Sequence, residues 1–100
     1  MAKTFKPAVA VHPGELIRDE LAARGITQTQ FAKVIGRPVQ VVNEIVNGKK
    51  RVTADTALLV AAAFGTSAEL WVNLQTAYDL FHAKRPDPNI PKRMAELALA

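Results

Sequence analysis

One hundred residues leave room for one domain with a single core. Hydrophobic residues make up 49% of the chain, enough to fill such a core and to separate it from disordered sequences. No cysteine is present, which removes disulfides, cysteine-ligated zinc and thiol nucleophiles together and suits a reducing cytosol. No apolar run is long enough to span a bilayer. Met1–Val11 carries Lys3 and Lys6 but is too short, and too interrupted by Pro7, to be a signal peptide. A soluble, cytoplasmic protein is expected. The formal net charge is +4, and its placement matters more than its size: between Thr27 and Arg51 five basic residues (Lys33, Arg37, Lys49, Lys50, Arg51) face one acid, Glu44. Elsewhere acids and bases nearly cancel. Such a local field suits a polyanion, and it is also what a solvated lysine-rich loop looks like.

Taken in chain order, residues 1–11 read as an extended arm. His12-Pro13-Gly14-Glu15 opens a first helix, with Pro near its first position and Glu in its first turn. This helix is predicted over Pro13–Arg24, with Leu16, Ile17 and Leu21 inward and Gly25 as its stop. Thr27, followed three residues later by Gln30, has the pattern of a capping box. The second helix then turns Phe31, Ala32 and Ile35 inward and ends at Gly36. Arg37-Pro38 opens a third, roughly Pro38–Asn47, burying Val42, Ile45 and Val46. Asn47-Gly48 terminates it, since both residues tolerate a left-handed backbone. Lys49-Lys50-Arg51 is an exposed loop. Thr53 caps a fourth helix over Ala54–Phe64, with Ala57, Leu58, Ala61 and Phe64 recurring at helical spacing. Ser67 caps a fifth over Ala68–Lys84, with the stripe Leu70, Trp71, Leu74, Tyr78 and Phe81. Arg85-Pro86-Asp87-Pro88 halts it, and residues 85–100 form a tail that either makes a short helix after Pro91, through Met94 and Leu97, or stays open. No strand pattern appears. The expectation is an all-α, five-helix domain over residues 12–84.

Two short helices joined by a tight glycine turn suit DNA. The first lies across the backbone, with its N-terminal N–H groups and Gln28 available to phosphate, and the second enters the major groove N-terminus first. Ala32 is small enough for the two to approach closely.

The run TQTQFAKVIGRPVQVVNEIVNG (Thr27–Gly48) resembles the Cro/CI-type (XRE, lambda-repressor-like) helix-turn-helix. HPGELIRDEL (His12–Leu21), GKKRVTADTAL (Gly48–Leu58) and FGTSAELWVNLQTAYDL (Phe64–Leu80) extend the similarity to HigA-type, or VapI-like, antitoxins over roughly residues 8–82. The resemblance implies a homodimer that binds a palindromic operator before its own operon. It also implies neutralisation of a cognate HigB-like toxin, typically an RNase that cleaves messenger RNA on the ribosome. Two positions depart from the family pattern. The third helix usually starts on Ser or Thr and has Pro38 here; the residue before it is usually apolar and is Arg37 here.

On this frame Gln40 and Asn43 are the first candidates for base contact, because their side chains can pair with adenine in the major groove. Val39 and Val41 cannot both be buried beside Val42 and Ile45; an exposed one either meets a thymine methyl or packs on the neighbouring loop. Glu44 either accepts from a cytosine amino group or faces solvent. Gln28, Thr29, Arg37, Asn47, Lys49, Lys50 and Arg51 are placed at the phosphates, where they add affinity without reading sequence. Trp71 is expected in the core, and Leu74, Tyr78 and Phe81 at a dimer contact. His12 and His82 stand at opposite ends of the helical part with no shared acidic cluster, which argues against a metal site. Without a phosphate-binding glycine loop or paired catalytic carboxylates, no enzyme and no cofactor is expected. A repressor with no toxin, and a helix-turn-helix that has lost DNA binding and serves protein interaction, remain the alternative functions.

Overall fold

The computed structural model describes residues 10–99; of the extended arm, residues 1–9 lie outside the described residues. Among the described residues there are six helices and no strand: α1 (Pro13–Arg24), α2 (Gln28–Ile35), α3 (Val39–Val46), α4 (Ala54–Phe64), α5 (Ala68–His82) and α6 (Ile90–Leu99). The predicted bounds of α1 and α4 are reproduced. Helix α5 stops two residues short of Lys84, where Ala83 turns extended at φ −71°, ψ 150°.

Most helix starts are closed by a side chain. Thr27 and Gln30 form the full capping box at 3.0 and 2.9 Å, while Thr53 and Ser67 accept from Thr56 and Leu70. His12 was not foreseen as a cap; its Nδ1 accepts the Gly14 N–H at 2.9 Å. Gly25, Gly36 and Gly65 end their helices in the left-handed region that L side chains avoid. At the end of α3 that conformation belongs to Gly48 at φ 73°, whereas Asn47 stays at φ −94°.

One apolar cluster joins α1 to α5, through Ile17, Leu21, Phe31, Ile35, Val42, Ile45, Val46, Val52, Val60 and Trp71. Phe31 stacks on Phe64 at 5.2 Å, and the Trp71 indole N–H donates to the Thr66 hydroxyl at 2.8 Å. Helix α3 packs against α1 and α2, while α5 packs against α4 and α1. Three predicted core positions face outward instead: Leu16, Leu58 and Leu70 are exposed. In α4 the buried face is Thr56, Ala57, Val60 and Ala61, which rotates Leu58 into solvent. The Gly14 backbone lies against α3: a Cβ built there would stand 1.8 Å from the Ile45 carbonyl oxygen.

The tail forms α6, starting one residue before Pro91 rather than after it. Proline is tolerated there because a first-turn N–H has no intrahelical partner. Asp87 organises this start, accepting from the Asn89 N–H at 2.9 Å and from the Arg93 guanidinium at 2.8 Å. Every described residue of α6 is exposed, including Met94 and Leu97. No described helix is long and apolar enough to cross a membrane.

Candidate nucleic-acid interface

The α2–α3 pair is held from beneath by Ala32, Ile35, Val42 and Ile45, all buried, and by the Arg37 N–H donating to the Ala32 carbonyl at 3.0 Å. Its outer surface carries most of the polar residues singled out from the sequence. Asn43 donates from Nδ2 to Gln28 Oε1 at 3.2 Å, so one side chain from each helix meets across the pair. Gln40, Thr29 and Arg37 are exposed, and Val39 is 45% exposed at the leading end of α3. Val41 goes the other way, half-buried and packed on the core, which resolves the two-valine alternative in favour of Val39 outside. Glu44 is half-buried.

Pro38 stands at the N-cap of α3 rather than inside it, at φ −59°, and offers no side-chain hydrogen bond. The sequence expectation of a helix from Pro38 to Asn47 is therefore corrected by one residue at each end. The turn closes through the Pro38 carbonyl, which accepts from Val41 and Val42 at 3.0 and 3.3 Å.

Beyond α3, Asn47, Lys49 and Lys50 are exposed. Arg51 is not a free cation: its guanidinium donates to Asp79 of α5. Gln75, buried within the supposed apolar stripe, donates to the other Asp79 oxygen at 2.9 Å and accepts the Val52 N–H at 2.7 Å. The Gln75 hydrogen bond, with that of Arg51, holds the Asp79 carboxyl below its ordinary range. Sequence reasoning passed over Gln75 and Asp79 because both fall among apolar positions of α5. The signal for Gln75 is an amide set between Trp71 and Tyr78 on the inward side of the helix.

The assigned dimer residues are only partly free. Leu74 packs against the core, and Tyr78 stands between the His12 ring at 4.9 Å and the His82 ring at 4.4 Å. Phe81 is 43% exposed, beside the more exposed Leu80. The two histidines, far apart in sequence, thus meet the same tyrosine. Burial lowers the His12 pKa, against the opposing pull of Asp79 and Glu15. A neutral ring is what the cap requires, since a protonated Nδ1 cannot accept.

Comparison with known proteins places this geometry. Residues 17–71 match the helix-turn-helix family HTH_3. Virulence-associated protein I of Dichelobacter nodosus is 42% identical over 82 residues, 81% of this chain and 76% of that protein. An addiction module antidote protein of the HigA family from Coxiella burnetii superposes with a TM-score of 0.69 at 44% identity, covering 72% of this chain and 79% of that one. The Pseudomonas aeruginosa antitoxin HigA, solved with the higBA promoter, superposes at 0.69 with 38% identity, covering 71% of this chain and 78% of that one. The chain belongs to the helix-turn-helix family and, within it, to the HigA antidote proteins and their VapI relatives.

Proposed function

We propose that this protein is the antitoxin of a type II toxin–antitoxin module: it binds operator DNA as a homodimer, represses its own operon and neutralises an mRNA-cleaving, HigB-like toxin. The observation that carries the DNA half is the exposed polar surface of α2 and α3. There Gln40 stands free, and Asn43 and Gln28 are joined across the pair beside a basic loop. Val39, Gln40 and Asn43 face the base edges, with Val41 contributing at most its exposed edge. Gln28, Thr29, Arg37, Asn47, Lys49, Lys50 and Arg51 line the phosphates. The P. aeruginosa relative solved with the higBA promoter supports the DNA-binding half of this reading. The toxin half is supported by similarity to proteins named as antidotes.

A second copy of the chain, covering Phe81 and the exposed parts of Leu74 and Tyr78, sets the two recognition helices about one DNA turn apart, roughly 34 Å. The test is binding to the DNA upstream of its own gene against a random duplex, across a salt series. Specific binding by a dimer, with log affinity falling steeply against log salt, is expected. Equal weak binding to both duplexes would reassign the fold to protein interaction.

A further inference from the structure

We propose that Gln75 and Asp79 are positioning residues for DNA binding, which from α5 fix the basic loop after the recognition helix so that the Arg51 guanidinium is set for a phosphate. The inference rests on the DNA-binding reading above and adds to it two residues that contact no DNA themselves.

A buried amide is costly in so small a core unless all its hydrogen-bonding groups are satisfied, and an apolar side chain would fill the space without that demand. Gln75 is 3% exposed, and both ends of its amide are used. Its oxygen takes the Val52 N–H at 2.7 Å, and its nitrogen holds Asp79 Oδ1 at 2.9 Å. Asp79 in turn holds Arg51 through Oδ2. Two consecutive loop residues are therefore tied to one helix, Val52 by its backbone and Arg51 by its side chain. The Val52 side chain, 2% exposed, adds a third anchor in the core. Lys49 and Lys50 lead directly into this fixed point. The arrangement leaves Arg51 most of its five N–H donors, because Asp79 engages it through NH2. An arginine already held in place loses less side-chain freedom on meeting a phosphate than a free one.

The sign of the effect separates positioning from plain charge. Asp79 is an acid next to the proposed phosphate surface. If it acted only through its field, removing it would tighten DNA binding and steepen the salt slope. Positioning requires the reverse.

The experiment measures operator and random-duplex affinity across a salt series for the wild type, Asp79→Asn, Arg51→Gln and the double variant, with thermal unfolding confirming each fold. Both residues are exposed enough that either single variant folds on its own merits, so each reads the pair from a different end. Asp79→Asn is expected to flatten the slope by about one unit, a loss of roughly tenfold at 0.1 M salt. Arg51→Gln should do the same, and the double variant no more than either. A purely structural role lowers the melting temperature and leaves the slope alone. Tighter binding by Asp79→Asn, an unchanged slope, or additive losses in the double variant each overturn the proposal. A wild type with no salt-sensitive operator preference overturns the DNA-binding reading itself, which the wild-type curve reveals before any variant is compared.

Discussion

Helices α2 and α3 are each eight residues long and each buries three apolar side chains, yet they begin in opposite ways. The start of α2 is closed within its own sequence by the reciprocal Thr27–Gln30 hydrogen bonds. The start of α3 has no side-chain cap, because proline occupies the N-cap. An eight-residue helix is far too short to persist alone, so α3 draws its order from what lies beneath it. Val42, Ile45 and Val46, all nearly inaccessible, hold the middle and the C-terminal end. The leading turn, with Val39 and Gln40, stays exposed at the end proposed to enter the groove. One helix of the pair is thus largely self-specified, and the other is specified by its neighbours.

Substitutions that remove the tertiary support of α3 should therefore have the largest effect. Gly14→Ala places a Cβ 1.8 Å from the Ile45 carbonyl oxygen and 2.7 Å from its carbon, backbone atoms that cannot swing aside, and 3.0 Å from His12 Nδ1. Helices α1 and α3 must separate. The expected cost is about 3 kcal/mol or more, at or above the upper end of overpacking, read as a lowered urea midpoint at constant slope. A variant within 0.5 kcal/mol of wild type, roughly the scatter of a neutral surface change, would mean that the α1–α3 contact is not what orders α3.

Next in size is the division of labour on α3 and the loop. Gln40→Ala should lose about 1–3 kcal/mol of discrimination between operator and random duplex, with little change on the random one. Lys50→Ala should weaken both duplexes alike and flatten the salt slope by about one unit. Identical behaviour of the two variants would refute the split between base and phosphate roles.

Much of this contrast was legible from the residues, and the exceptions share a cause. Thr27, Gln30 and Gly36 act on the backbone within a few residues, so local pattern suffices to place α2. The same holds for the bounds of α1 and α4. Leu16, Leu58 and Leu70 face outward against expectation because apolar spacing alone does not say which rotation of a helix meets its neighbours; α4, packed against α5 and α2, buries Thr56, Ala57, Val60 and Ala61 instead of Leu58. Gln75 and Asp79 were missed for a related reason. Their partners, Val52 and Arg51, lie more than 20 residues away in sequence, and only the packing of α5 brings them together. The exposure of Gln40, Asn43, Lys49 and Lys50 follows from local pattern, while the engagement of Arg51 with Asp79 and the inward turn of Val41 required the tertiary structure.

The capping box itself should be worth a middling amount. Thr27→Ala removes the acceptor for Gln30 and exposes the first turn of α2, at a cost of about 1 kcal/mol in thermal or urea unfolding. His12 offers the same kind of cap with a pH dependence. Its pKa is lowered in the folded protein, chiefly by burial, so folding favours the neutral ring. The associated stability is whole above the ordinary imidazole value of about 6.5 and is lost as pH falls below it toward the depressed folded value. Unfolding midpoints at pH 7.5 and 5.5 should differ more for the wild type than for His12→Asn, whose side chain caps without titrating. Equal differences would show that the His12 ring does not carry the acid sensitivity.

The smallest expected effect lies where the comparison began. Pro38→Ser gives α3 the side-chain cap that α2 already has, a gain of about 0.5–2 kcal/mol by itself. Against it, Pro38 sits at φ −59°, the value its ring prefers, so replacing it releases freedom in the unfolded chain at a cost of about 0.4–1 kcal/mol. The two terms nearly cancel, and the urea midpoint should move little, within about 1 kcal/mol in stability. The cap should act instead on local order. Amide exchange at Val39, Gln40 and Val41 should slow in Pro38→Ser while Ile45 and Val46, already buried, stay as they were. If exchange at the leading turn is unchanged, proline is as good a start for this helix as serine, and the difference between α2 and α3 is one of chemistry without consequence for order. If it slows and operator affinity changes with it, the open start under Pro38 is part of how the recognition helix meets DNA.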